Sequence, residues 1–173
     1  MPEDHIVELK HAVKVDKKAI DSEKKVVSLI LSDETQLIRY SWRNGRYKLK
    51  LSHEKNAVDL SRKDILKLFY QHKTHGDTPP IGKLENVRVE DKKLKADAHF
   101  DSEDEFAMTI FGKIERGFLN SVSVGIDIVD GFMVEHKNKE DEFTATKWSI
   151  HEASIVNIPA IPSASKCKSW FIR

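Results

Sequence analysis

Residues 121–129 read Ser121-Val122-Ser123-Val124-Gly125-Ile126-Asp127-Ile128-Val129. Apolar residues alternate strictly with small or polar ones, the period of a strand buried on one face. Val122, Val124, Ile126 and Ile128 then fill a core, and Ser121, Ser123, Gly125 and Asp127 share the opposite face. Just upstream, residues 103–116 change to a helical period. Ser102 and Glu105 form a capping-box pattern. Acidic residues fill the first turn, and Lys113 and Arg116 stand near the end, where the helix dipole favours cations. Phe106, Ile110, Ile114 and Phe118 recur every four residues as an apolar stripe, with Phe111 beside it. Gly117 is placed to stop the helix. A capped helix therefore delivers the chain into a half-buried strand.

Working outward from this unit, most other segments read as strands. Residues 1–22 hold one charged strand, and residues 24–32 are rich in β-branched residues. Residues 38–52 read as a hairpin turning at Asn44-Gly45, two residues that tolerate positive φ. Residues 84–100 read as a second hairpin turning at Glu90-Asp91-Lys92-Lys93, with Leu94, Ala96, Ala98 and Phe100 on one face. Ser61 and Asp64 predict the cap of a short helix carrying Ile65, Leu66, Leu68 and Phe69. The polar segment 72–83, with two glycines and two prolines, predicts a loop. Residues 131–144 are charged and predict an exposed loop or turn, and residues 145–158 predict a last strand. Residues 1–162 thus form one domain, and 163–173 a polar C-terminal tail. Many strands, one strong helix, one weaker helix and no βαβ rhythm predict a mainly β, α+β fold: a partly closed β-barrel with flanking helices.

Composition narrows the function. The chain has 173 residues, with Lys+Arg 29 against Asp+Glu 28, so nothing in its net charge calls for nucleic acid. Its single cysteine, Cys167, allows neither an intrachain disulfide nor a Cys-x-x-Cys site. The N-terminus lacks the apolar core of a signal peptide, and the longest apolar run is too short to span a bilayer. The expectation is a reduced, cytoplasmic-type soluble domain. No glycine-rich nucleotide loop follows a strand. His72 and His75 are three residues apart, but no acidic or cysteine partner completes a metal site at diagnostic spacing. No cofactor is expected.

Three places carry chemistry. Ser123 has a glycine two residues on, and a glycine leaves room for a substrate backbone to pass close. His72, in the loop that follows an apolar segment, can take a proton near neutral pH. In the last strand, alternation puts Glu152 on the face of Trp148, Ile150, Val156 and Ile158. A carboxylate there is costly unless it is paired, and an imidazole is one such partner. Each residue also has a plainer reading: a solvent-facing strand serine, a surface-loop histidine, and a glutamate re-aimed by a β-bulge or paired with a lysine.

Taken in order, these segments resemble a known family. Phe69-Tyr70-Gln71-His72 is followed by Pro80-Ile81-Gly82-Lys83. Then come Gly117-Phe118-Leu119-Asn120-Ser121-Val122-Ser123-Val124-Gly125 and Glu152-Ala153-Ser154-Ile155-Val156-Asn157-Ile158-Pro159-Ala160. Together they resemble the prohead (capsid-maturation) serine proteases of tailed bacteriophages and prophages, over about residues 65–162. The region Leu31–Tyr40 departs from the family's usual opening segment, and His72 is followed by Lys73 where relatives often have Asp or Asn.

The resemblance implies a herpesvirus-protease-like barrel and a serine endopeptidase. It implies Ser123 as nucleophile, His72 as base with His75 as the alternative, and Glu152 as third member with His151, on the opposite strand face, as a minor candidate. The oxyanion donors would be backbone N–H groups, helped by the space at Gly125. The implied substrates are the phage scaffold protein, a segment of the major capsid protein and the protease itself, with possible self-association. The implied location is the host cytoplasm, inside the assembling prohead, with no role for nucleic acid or membrane. The alternatives are a non-catalytic capsid or scaffold-associated protein that keeps the fold, and an unrelated β-barrel binding module using Trp42, Tyr47 and Trp148 as an aromatic patch.

Overall fold

A computed structural model describes residues 6–11, 19–41 and 45–158. Among them are eleven strands joined in one sheet. The chain begins with β1 (Ile6–His11), β2 (Ile20–Asp21) and β3 (Val26–Asp33). β4 (Leu37–Ser41) and β5 (Gly45–Leu51) form the expected first hairpin, with Gly45 at φ +66°. β6 (Val58–Asp59), a single 3₁₀ turn (Lys63–Ile65) and β7 (Lys67–Tyr70) follow. β8 (Gly82–Glu90) and β9 (Lys93–Phe100) form the second hairpin. Its turn residues Asp91 and Lys92 both have positive φ, 51° and 55°, as the tightest hairpin turns require. The helix α1 (Glu105–Glu115) leads into β10 (Val122–Val134), which pairs with β11 (Asp141–Ile155).

β11 organises the sheet. Along one edge it pairs antiparallel with β10, and along the other it pairs in succession with β5, β6 and β7, all parallel. From β7 the sheet continues through β8 and β9 to β3 and β2, and beyond β10 it ends at β1. It curls into an open half-barrel, the α+β architecture expected. The predicted alternating faces are buried in its core. Val122, Val124 and Ile126 are buried, as are Leu94, Ala96, Ala98 and Phe100 of β9, and Val27, Leu29 and Leu31 of β3.

α1 seals this core, though not with the predicted stripe. Ala107, Ile110, Phe111 and Ile114 are buried, whereas Phe106 is 45% and Phe118 76% exposed. The buried set spans i, i+3, i+4 and i+7, one true helix face. Phe111 meets Phe100 edge-to-face at 5.3 Å. Burial of Ile110, Phe111 and Ile114 contributes about 1.5–3 kcal/mol each. The N-cap is Asp104, whose carboxylate accepts from Phe106 N–H. Gly117 (φ +80°) ends the helix. Its N–H donates to Ile114 O, and Phe118 N–H donates to Lys113 O, a Schellman motif.

Two other expectations are corrected. Residues 60–71 do not form a helix. Leu66 and Leu68 are buried while Ile65 and Lys67 are exposed, so the segment follows the period of two and β7 joins β11. Residues 131–144 are not a loop: β10 runs to Val134 and β11 starts at Asp141. The charged residues 135–140 are only the connection between them. Asn44, Trp42 and the tail 163–173 lie outside the described residues.

Candidate active site

Ser123 sits one residue into β10, directly across from Ser154 of β11. The helix stop at Gly117 and the buried Leu119 aim the chain into this strand. Ser123 lies on the face away from the valines, as read from the sequence, yet it is fully buried.

His72 reaches Ser123 from a tight turn. Tyr70 to Lys73 is closed by Lys73 N–H donating to Tyr70 O at 3.2 Å. Its two central residues, Gln71 and His72, both have φ +55°. Left-handed backbone costs a non-glycine residue about 1–2 kcal/mol, so something must hold the turn. Gln71 N–H donates to Ile155 O at 3.0 Å. His72 N–H donates to Ser154 Oγ at 3.2 Å. Both anchors belong to β11. The Pro-Ile-Gly segment fixes the other end of the loop. Ile81 is buried and its N–H donates to Leu68 O. A Cβ at Gly82 would lie 2.2 Å from His99 O, so only glycine lets β8 start this close to β9.

Glu152 arrives on the Ser123 face through a β-bulge. Ile150 is opposite Ile126, but Glu152 is opposite Gly125, so two steps on β11 match one on β10. His151 is the extra residue. Strict alternation places Glu152 towards the core; the bulge reverses that and keeps Ile150, Ala153 and Ile155 buried inside. The bulge also moves His151. It does not point to the opposite face: its Nε2 lies 2.5 Å from where a Gly125 Cβ would be, and its Nδ1 is 3.4 Å from Asp127 Oδ2. Glu152 Oε1 is 2.8 Å from that same Cβ position. The room left by Gly125 is therefore filled by the protein's own imidazole and carboxylate, not kept open for a substrate or oxyanion.

The side chains of Ser123, His72 and Glu152 meet. Ser123 Oγ lies 2.6 Å from His72 Nε2. His72 Nδ1 lies 2.7 Å from Glu152 Oε1. An ionised carboxylate only accepts, so Nδ1 carries the hydrogen and Nε2 is left to accept from the serine hydroxyl. Glu152 is 5% exposed and the His72 side chain 13%, so the pair is shielded from bulk water and its electrostatics act at reduced dielectric. Ser154 Oγ donates to Glu152 Oε2 at 2.8 Å. This arrangement can take a proton from a hydroxyl and stabilise the imidazolium that forms.

Of the other candidates, His75 is exposed, with Nδ1 2.6 Å from Thr74 Oγ1. Trp148 and Tyr47 are buried, so these two rings do not form the aromatic patch of a binding module. Two features went unread in the sequence. Ser154 belongs to the resembling Glu152–Ala160 segment, but beyond its place two residues after Glu152 on a strand nothing there signals its contacts with His72 and Glu152. The buried pair Ser32–His53, with Oγ 2.6 Å from Nε2, joins segments 21 residues apart that share no pattern.

A family model described as caudovirus prohead serine protease matches residues 47–169. No curated protein and no solved structure matches the chain. The matched span holds most of β5, the turn at His72, α1, and both long strands β10 and β11. The chain belongs to the caudovirus prohead serine protease family, serine endopeptidases that cleave scaffold and capsid proteins during prohead maturation.

Proposed function

We propose that Ser123, His72 and Glu152 are the catalytic triad of this protease. The observation that carries the reading is one imidazole bridging a serine hydroxyl at 2.6 Å and a buried carboxylate at 2.7 Å. Ser123 Oγ attacks the scissile carbonyl carbon as His72 Nε2 takes the hydroxyl proton. His72 returns that proton to the leaving amine, giving an acyl-enzyme on Ser123. Water then repeats the sequence, with His72 again as base, and releases the acid. Glu152 holds Nδ1–H and offsets the positive charge of the imidazolium. General base catalysis of this kind contributes roughly 10²–10⁴-fold. Ser123 is fully buried, so a substrate gains its oxygen only when the groups over it move aside.

The substrates in this reading are the phage scaffold protein, a segment of the major capsid protein, and the protease itself, inside the prohead assembling in the host cytoplasm. Confinement raises the effective concentration of every cleavable segment, so a small site with modest affinity serves. The test is mass spectrometry of the chain co-expressed with the capsid and scaffold proteins of its own phage, wild type against Ser123→Ala. Defined fragments in the wild type and none in the variant are expected. The same fragments in both would remove Ser123 from the nucleophile's role.

A further inference from the structure

We propose that Ser154 is a positioning residue that locks the imidazole of His72 against Glu152; this rests on the triad reading above. Ser154 is fully buried and lies on the same strand face as Glu152, two residues on. Its oxygen accepts from the His72 backbone N–H at 3.2 Å, and its hydroxyl donates to Glu152 Oε2 at 2.8 Å. The other carboxylate oxygen accepts from His72 Nδ1 at 2.7 Å. The hydrogen bonds therefore close a ring that starts at the backbone of His72 and returns to its own side chain. The direction of each bond is forced. An amide N–H only donates and a carboxylate only accepts, so the one hydroxyl proton of Ser154 goes to Glu152.

Closing the ring fixes two things that a triad needs. The carboxylate cannot rotate away from Nδ1, because its second oxygen is held. The strained left-handed turn at Gln71 and His72 cannot relax, because both of its free N–H groups are tied to β11. Through these bonds Ser154 acts on His72 and Glu152. Removing its hydroxyl lowers the rate of the chemical step and leaves ground-state binding alone.

A fluorophosphonate tests this without a known substrate. Ser123 Oγ bonds to phosphorus, the P–F bond breaks, fluoride leaves, and His72 takes the hydroxyl proton. Labelling is followed by intact mass to give kinact and KI. Ser154→Ala is expected to lower kinact roughly tenfold to a hundredfold, by analogy with the loss of an outer partner of a metal-bound histidine, with KI within about twofold. The far-downfield proton resonance of His72 Nδ1–H, assigned by its loss in His72→Ala, is expected to vanish with it. Ser154→Thr keeps the hydroxyl and is expected to restore both. Ser154→Cys fills the site without a strong donor and carries the test if the alanine variant does not fold. A folded Ala or Cys variant with wild-type kinact and the downfield proton in place overturns the role of Ser154 alone. A His72→Ala variant labelled at the wild-type rate overturns the triad reading, and this proposal with it.

Discussion

Two serine–histidine pairs in this molecule share one contact and differ in everything around it. In each, a buried serine oxygen lies 2.6 Å from an imidazole Nε2. His72 gives its other nitrogen to the Glu152 carboxylate, whereas His53 Nδ1 lies 3.0 Å from the carbonyl oxygen of Leu51. A carboxylate carries a full charge that stabilises an imidazolium; a carbonyl offers only a dipole. His72 rides a strained turn and keeps 13% of its side chain exposed. His53 is 3% exposed and packs edge-on to the buried Trp148 at 5.3 Å. Trp148 in turn donates to Ser52 O at 2.8 Å, so that cluster ties the segment after β5 to β11. Proximity of a serine to an imidazole is therefore not a nucleophile. On the triad proposal, the third group and the partial exposure of the His72 ring separate chemistry from packing.

The largest effect expected separates the two serines. Ser123→Ala should lower the cleavage rate of a capsid or scaffold substrate on the order of 10⁴-fold or more, since triad members act as a unit. Ser32→Ala should leave it within about threefold. Progress curves on the same substrate decide this, and comparable losses in both variants would erase the distinction.

His53→Ala inverts the pattern. It removes a buried ring and strands the Ser32 hydroxyl, which should cost about 2–4 kcal/mol of stability. Denaturant unfolding measures the loss, while activity per folded molecule stays near wild type. His72→Ala should do the reverse.

Gly125→Ala sharpens the comparison at the carboxylate. A Cβ there would crowd His151 Nε2 at 2.5 Å and Glu152 Oε1 at 2.8 Å. Glu152 must shift, and kcat should fall roughly tenfold to a hundredfold, with KM and the far-UV spectrum little changed. Full activity in this variant would mean that the fit of the carboxylate against His72 matters less than its charge.

The smallest effect concerns Glu34, beside the His53 cluster. The His53 backbone N–H holds its carboxyl below the usual range, partial burial works against this, and Lys50 adds to the lowering. A lowered folded-state value means that the stability is present above the ordinary glutamate value of 4.5 and is lost as pH falls through the folded one. Glu34→Gln should therefore cost under about 1 kcal/mol at neutral pH, as solvent screens a partly exposed charge. Melting curves of the two proteins should converge under acid conditions.

The sequence brought forward the residues proposed for the site better than their arrangement. The strict period placed Ser123 on a polar strand face and marked Glu152 as out of place, but the roles proposed for Ser123, His72 and Glu152 came from their place in a resemblance. The facing of Glu152 was not legible, because one inserted residue, His151, changes the parity of everything after it, and a bulge leaves no compositional mark. The misread helix at 60–71 has a similar cause. Apolar residues at 65, 66, 68 and 69 satisfy both a helical and a strand period, and only pairing with β11 chooses between them. In the hairpin of β10 and β11, charge masked strand character, because the outward faces of both strands are solvated. Phe106 and Phe118 looked like core by spacing. Phe106 instead meets Tyr70 edge-on at 5.6 Å, and Phe118 lies past the helix stop.

The triad proposal requires Ser123 to be the serine that His72 activates. The most direct measurement treats the folded protein with a fluorophosphonate and maps the adduct by peptide mass spectrometry, in the wild type and in Ser123→Ala. One adduct on Ser123, lost in the variant with no new site, is the result predicted. An adduct on Ser32, or equal labelling of both proteins, would contradict it.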